Sequence, residues 1–241
     1  MTIHYRMHVR TFVREMEELA PPELAEPFDA GKIGLVVEGR LETGAICCAL
    51  DATPFVVQEA IRAGAGMLVV HHTPLWTPVT TMTGRTASLM RIVLAAEMNL
   101  YVMHTNYDHA PEGVNDALSE LLSLTDIIPM SLGCVGTCPI RLAEISRRLG
   151  GTLRVWGEID AVRRLAIVAG SGFDPALMDE AVSLGAGVFL SAEMKHSVAR
   201  AAPLPCIEAT HYALEAPAMK RLASRKGWQY IDNPPVLHIV P

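Results

Sequence analysis

The sequence predicts an α/β protein made of two similar α/β halves, and three observations carry that prediction. Short apolar runs rich in Val, Ile and Leu alternate with segments of helical periodicity, the pattern of strand–helix–strand units with parallel strands. Half of the 241 residues are apolar, whereas aromatics make up 5% and charged residues 19%, so the core is built from Ala, Val, Leu, Ile and Met packed in layers. The third observation is an internal repeat. Thr53-Pro54, Glu59-Ala60 and Gly64-Ala-Gly66 are matched by Asp174-Pro175, Glu180-Ala181 and Gly185-Ala-Gly187, each 121 residues further on and without a gap. Convergence is the rival explanation, because caps and turns draw on few residue types. Duplication is preferred, and it implies two halves related by a pseudo-twofold with a natural site in the cleft between them.

The repeat divides the chain into a first half at 1–124, a linking arm at 125–164 and a second half at 165–241. With a net charge of -6 and no basic stripe, the chain has no means of coating nucleic acid nonspecifically. Its five cysteines are odd in number and contain no C-x-x-C, so they read as buried reduced thiols. Cys134-x-x-x-Cys138 lacks the second pair that a four-thiolate zinc site needs. The opening Met1-Thr-Ile-His-Tyr-Arg6 has no signal-peptide apolar region, and no charge-free run reaches the roughly 18 residues of a spanning helix. A soluble cytoplasmic protein that does not enter a membrane is expected.

Taken in order, Phe12, Val13, Met16 and Leu19 recur at helical spacing, and Pro21-Pro22 stop that helix. An irregular link leads to strands at 34–38 and 45–50, separated by a turn from Gly39 to Gly44. Thr53 is a plausible N-cap and Pro54 suits the first helical position, where its missing N–H costs nothing; that helix runs to Arg62. Ala63-Gly-Ala-Gly66 then turns the chain into Met67-Leu-Val-Val-His-His-Thr-Pro-Leu-Trp76, an apolar strand ending in two adjacent imidazoles. A further strand at 99–103 precedes His104-Thr-Asn-Tyr-Asp108. The arm holds one helix at 140–149 and a short strand. The second half opens on Leu165-Ala-Ile-Val-Ala169, repeats the helix after Pro175 and the strand Val188-Phe-Leu190, and reaches a strand at 205–210. His211-Tyr-Ala-Leu-Glu215 and a helix at 216–222 follow, and the tail from Trp228 reads as an edge strand broken by Pro234-Pro235.

The chemistry gathers at strand ends. Side chains alternate along a strand, so His71 and His72 leave the backbone in different directions and can serve different ions. A lone His pair is weak evidence, since half-buried histidines bonded to backbone are common. His104-x-x-x-Asp108 and His211-x-x-x-Glu215, however, each place a His and a carboxylate on one helical face after an apolar strand. The bland alternative is two solvent-facing acids, Glu215 merely favouring a helix N-terminus. Two such pairs beside a His-His strand end favour metal binding. Ala169-Gly-Ser-Gly172 before a helix is equally a phosphate cradle or a tight turn.

These stretches resemble a known family, the NGG-interacting factor three-like proteins, also called GTP cyclohydrolase type 2 homologues. The likeness is carried by Leu50-Asp-Ala-Thr-Pro54, Val70 to Trp76, His104 to Asp108 with Gly113-Val-Asn-Asp116, Ala169-Gly-Ser-Gly172, Met194-Lys-His196 and His211 to Glu215. It spans nearly the whole chain. The resemblance implies a dinuclear metal site in the cleft between two similar halves and a ring-shaped homohexamer. Its implied ligands are His71, His72, Asp108, His211 and Glu215, with His104 as a further ligand or a neighbour that steers one. Family members have Thr-Gly-Asp where this chain has Ser191-Ala192-Glu193, so no role is carried onto Glu193, nor one onto His196. The domain inserted in longer members is absent.

His and carboxylate ligands without thiolate suit two divalent first-row ions, Zn, Fe, Mn or Ni. Asp108 and Glu215 are the natural bridging carboxylates, and five protein ligands over two ions leave positions open for a reactant. The leading expectation is a metal-dependent hydrolase of a nucleotide-like or heterocyclic small molecule, with His104 or Glu193 transferring protons. A non-enzymatic metal chaperone or cofactor-binding scaffold is the alternative.

Overall fold

The computed structural model describes residues 6–238 and 240, so the opening segment before Arg6 and, in the tail, Ile239 and Pro241 lie outside the described residues. The described chain forms two compact units, one comprising the residues up to Ala110 together with those from Met219 onward, the other Pro111–Ala218.

In the first unit, β1 (Met7–His8) leads into α1 (Val9–Leu19), whose N-terminus is capped by His8 Nδ1 accepting from Arg10 N at 3.2 Å. Val9, Phe12 and Met16 form its buried stripe, and Phe12 meets Tyr101 edge-on at 5.5 Å between centroids. The irregular link that follows contains short 3-10 turns at Pro22–Leu24 and Pro27–Asp29. Next come β2 (Gly34–Val37) and β3 (Glu42–Thr43). The latter pairs antiparallel with β1, so the stretch expected as a plain turn also carries a two-residue bridge.

β4 (Ala45–Asp51), α2 (Pro54–Arg62) and β5 (Ala65–His72) make the first strand–helix–strand unit, with β4 and β5 parallel. Thr53 Oγ1 accepts from Val56 N at 3.2 Å, which is the cap the sequence signals. α3 (Gly84–Ala95) and β6 (Asn99–Val102) repeat the crossover, β5 and β6 also running parallel. α4 (Thr105–His109) follows directly. Among the described residues, the sheet holds β4, β5 and β6 in that order, with β2 antiparallel outside β6 and the strand Gln229–Tyr230 parallel outside β4. The tail therefore supplies the expected edge strand, and it completes the first unit's sheet. Its core joins Val56, Val57, Leu68, Val70, Val93, Leu100 and Val102.

The second unit starts with α5 (Val114–Leu121), then β7 (Thr125–Pro129), β8 (Cys134–Thr137), α6 (Leu142–Arg148) and β9 (Arg154–Trp156). β10 (Arg164–Ile167), α7 (Pro175–Ser183) and β11 (Val188–Ser191) form the second copy of the repeat, again with parallel strands. α8 (His196–Ala201) connects to β12 (Cys206–Glu208), parallel to β11. The sheet order is β7-β8-β10-β11-β12-β9, so residues 125–164, expected as a linking arm, close this sheet at both edges. All of β7 is exposed and shows no apolar alternation, so periodicity alone gives it no signal. The core here includes Val135, Ala166, Val168, Met178 and Phe189, with Phe173 5.8 Å from Phe189 between centroids.

α9 (His211–Lys226) contains the division at Ala218. It begins five residues earlier than the sequence suggests, because Thr210 Oγ1 accepts from Ala213 N at 3.2 Å and caps it there. Pro217 consequently lies inside the helix rather than in its first turn.

Candidate functional site

In the first unit three imidazoles converge beyond the C-terminal ends of β5 and β6, where ligands of open α/β sheets are usually held. Ring nitrogens of His71, His72 and His104 lie within 4.8 Å of one another. Their ring centroids are 5.0 Å apart for His71 with either neighbour and 5.7 Å for His72 with His104. Strand alternation sends His71 fully into the interior and leaves His72 half-buried.

Each ring is held through Nδ1 by an oxygen acceptor. His71 Nδ1 donates to Met103 O at 2.6 Å. His72 Nδ1 donates to Asp51 Oδ1 at 2.7 Å, a contact set by the register that pairs Asp51 with His72 across β4 and β5. His104 Nδ1 donates to Asp29 Oδ2 at 2.7 Å. A neutral imidazole that donates through Nδ1 presents a lone pair at Nε2, which is how metal-ligating histidines are steered. His71 Nε2 faces Asp108 Oδ1 at 3.6 Å. A lone pair opposite a carboxylate is an arrangement that a cation between them satisfies.

Asp29 is wholly buried and organises this corner. Its Oδ2 also accepts from Thr105 N at 3.1 Å and from the Thr105 hydroxyl. Burial on its own would raise the Asp29 pKa, but the hydrogen bonds from His104 and Thr105 and the charge of His104 outweigh it and hold the carboxyl below its ordinary range. Asn106 fixes the start of α4 from the other side. Its Oδ1 accepts from His104 N at 2.9 Å, and its Nδ2 donates to Ala20 O at 2.7 Å.

In the second unit His211 sits between two carboxylates, Nδ1 at 2.8 Å from Glu193 Oε1 and Nε2 at 2.9 Å from Glu215 Oε2. Glu215 is only 3% exposed, which the solvent-facing alternative does not accommodate. Gly170 adopts φ +67°, and a Cβ there would come 2.3 Å from Glu215 Oε1 and 3.3 Å from His211 Nε2. The Gly-Ser-Gly turn thus closes against a carboxylate and its histidine, a poor surface for a phosphate. Ser191 Oγ donates to Gly170 O at 2.9 Å and accepts from Gly172 N at 2.8 Å, locking the turn to the end of β11.

Glu193 has φ +63°, a left-handed backbone that is uncommon for a residue with a Cβ. The loop is anchored from beneath by buried Glu208, which accepts from Met194 N and Trp156 Nε1, both at 3.1 Å, and pairs with Arg154. His196, also singled out in the sequence, is exposed at the start of α8. The five thiols are buried and unpaired by disulfides, and burial pushes Cys47 and Cys206 up to about 11 and Cys134 to about 12, as suits inert core residues. Among the described residues no helix is long and apolar enough to cross a membrane.

A match to the Duf34/NIF3 (NGG1p interacting factor 3) family extends over residues 7–227. The chain belongs to this family. It is 33% identical to a Streptomyces coelicolor protein named GTP cyclohydrolase 1 type 2 homolog, the alignment covering 90% of this chain and 87% of that one. Among solved structures it is similar to reduced HcgD from Methanocaldococcus jannaschii, with a TM-score of 0.80, 27% identity and coverage of 94% and 97% of the two chains. It is also similar to the protein ybgI, described as of unknown function, with a TM-score of 0.86, 25% identity and coverage of 95% and 99%.

For this Duf34/NIF3 protein, sequence reasoning found the histidines and acids at the strand ends but not the groups that hold them. Asp29 is 75 residues from His104 in the chain and lies in a 3-10 turn with no periodic signature. Asp51 falls inside a quoted motif, yet only the strand register reveals that it faces His72. Glu208 reads as one more residue of a strand. A buried acid in an otherwise apolar strand was the available signal for it.

Proposed function

We propose that this Duf34/NIF3 protein binds two divalent first-row metal ions per chain, which His71, His72, Asp108, His211 and Glu215 would hold, and hydrolyses a nucleotide-like or heterocyclic small molecule. The observation that carries the reading is that His71, His72 and His104 are each held through Nδ1 by an oxygen acceptor, with ring nitrogens of the three within 4.8 Å of one another. The donor set of imidazole and carboxylate without thiolate suits Zn, Fe, Mn or Ni. Ions of this kind polarise a carbonyl or ring carbon and make a water acidic near neutral pH.

The chain's own residues supply the rest. The Met103 carbonyl and Asp51 fix the His71 and His72 tautomers, so neither ring rotates when a reactant arrives. His104, backed by Asp29, can accept a proton at Nε2 and return it, its carboxylate partner stabilising the charged ring. Glu193 holds His211 through Nδ1 in the same way. The reduced, buried thiols suit a cytoplasmic setting. A second reading, a metal chaperone or cofactor scaffold, draws support from the accessibility of the Glu193–His211 pair, which would ease ligand exchange.

Elemental analysis tests the metal reading. We expect about two ions per chain after reconstitution at about pH 7.5, and loss of at least one of them in His71→Ala and in Glu215→Ala. Protein that holds no metal either as isolated or after reconstitution refutes it. Ions that pass rapidly to a chelator, with no hydrolysis of nucleotides or cyclic amides, favour the chaperone over the enzyme.

A further inference from the structure

Two large aromatic side chains and one ammonium group gather over the outer side of His104. Phe28 and Trp76 are 56% and 44% exposed, although Phe28 lies in the same 3-10 turn as wholly buried Asp29. Both rings meet the His104 imidazole edge-on, Trp76 at 5.1 Å and Phe28 at 6.3 Å between centroids. Lys32 Nζ stands 5.3 Å from the Trp76 ring centre and 5.9 Å from that of Phe28. It forms no ion pair with an acid among the described residues.

A purely structural account makes this an exposed cation–π cluster, worth about 0.5–1 kcal/mol per contact. Fully burying a Phe side chain is worth about 1.5–3 kcal/mol, so such contacts do not compensate for leaving both rings in water. Nor do they explain why the rings border the imidazole cluster rather than some other part of the surface. Exposed π faces beside a cation fit a ligand that is itself a flat ring carrying an anion. Aromatic side chains stack bases of any sequence, and an ammonium pairs with a phosphate as a point charge.

We infer that Trp76, Phe28 and Lys32 form a binding subsite for a planar heterocycle bearing a phosphate, the ring stacked on the indole and the phosphate at Lys32, next to His104. The subsite rests on the proposed hydrolase only for its role in turnover; binding itself requires no metal. Asp29 ties the parts together, since the turn that presents Phe28 also supplies the carboxylate on His104. A ring held there has one edge against the imidazoles while its anionic tail stays outside them.

The test is equilibrium binding of guanosine 5′-monophosphate, guanosine and ribose 5-phosphate to the full chain, both metal-loaded and stripped with a chelator. Guanosine 5′-monophosphate should bind in both states. Trp76→Ala should weaken it at least tenfold, as expected for loss of a stack worth about 1–3 kcal/mol, and Trp76→Phe should restore most of the affinity. Lys32→Gln should bring guanosine 5′-monophosphate down to the affinity of guanosine and leave guanosine itself unchanged. Metal content and melting temperature of each variant should match wild type, which separates failure of this subsite from failure of the metal reading. Wild-type affinity in both Trp76→Ala and Lys32→Gln, ribose 5-phosphate binding as tightly as the nucleotide, or equal losses of guanosine and nucleotide in Lys32→Gln would each overturn the inference.

Discussion

Where β5 ends the first half carries His71 and His72; 121 residues further on, at the end of β11, the second half carries Ala192 and Glu193. The repeated backbone around these positions is closely matched. α2 and α7 each begin at the proline after a capping Thr or Asp and run nine residues, and Gly64 and Gly185 both take left-handed conformations behind them. Caps and turns have therefore kept their form while the chemistry at the strand ends has diverged. In the first half the repeat position supplies an imidazole, and the group that steers His104 comes from Asp29, outside the repeat and buried. In the second half the position of His72 is taken by Glu193, which itself steers His211 from an exposed site. The first half fixes His104 from the interior through Asp29, whereas the second fixes His211 from solvent through Glu193.

The largest effect should come from breaking the interior arrangement. Asp29→Ala leaves His104 and the Thr105 hydroxyl without their acceptor in a buried corner, and removing one member of a buried pair typically costs about 3–5 kcal/mol. Glu193→Ala removes a partner that is exposed and screened, so its cost should be about 1 kcal/mol or less. Urea denaturation of the two variants gives the comparison directly, and equal losses would erase the contrast between the halves. The sign with pH is also fixed. Because Asp29 titrates below its ordinary value in the folded state, its contribution is present above about pH 4 and is lost as pH falls through that lowered value. Stability of Asp29→Ala should accordingly fall less steeply than that of wild type across this acid range.

A smaller loss is expected at Gly170. An alanine there meets both a left-handed φ of +67° and the Glu215 carboxylate, a combination worth about 2 kcal/mol or more. Gly64 and Gly185 have positive φ with nothing within 4 Å of an added Cβ, so alanine at either should cost only about 1 kcal/mol of backbone strain. Gly170→Ala should also displace Glu215 and lower metal content, which the other two should not. Identical denaturation midpoints for the three variants would show that the turn yields freely around the carboxylate.

These contrasts mark how far the sequence could be read. Elements set by local chemistry were legible, as with α2, where Thr53 and Pro54 place the cap and first turn and the helix ends at Arg62. The strand ends bearing His71, His104 and His211 were legible too, because an apolar run that stops at a histidine is visible within ten residues. What depends on partners distant in the chain was not. β7 and β8 pair with each other, and β8 with β10, without an alternating pattern, so the arm concealed two strands. The sequence suggests a helix at 216–222, whereas the Thr210 cap begins the helix at His211 and puts the histidine and Glu215 one turn apart on one face. Asp29, 75 residues from His104 and in a turn without periodicity, became visible only once folding had brought it to the histidine it holds.

The smallest change in stability should accompany the clearest change in function, at Glu193. Its left-handed backbone costs about 1–2 kcal/mol with a Cβ present and almost nothing for glycine. Glu193→Gly should therefore fold at least as well as wild type, since the relief offsets the loss of an exposed ion pair. The same change frees His211 Nδ1 from the acceptor that fixes its tautomer, and losing such a steering group typically lowers metal affinity 10–100-fold. Glu193→Asn tolerates the left-handed backbone and still offers an acceptor oxygen, though on a shorter side chain, so it should recover part of that affinity. Competition with a chelator of known affinity measures the one quantity, and thermal denaturation of the metal-free protein the other. If Glu193→Gly melts well below wild type and holds metal equally well, Glu193 is an ordinary loop residue whose backbone happens to be strained. If it melts as high or higher and releases metal, the strain is retained because this carboxylate must stand at this place, doing for His211 from solvent what Asp29 does for His104 from the core.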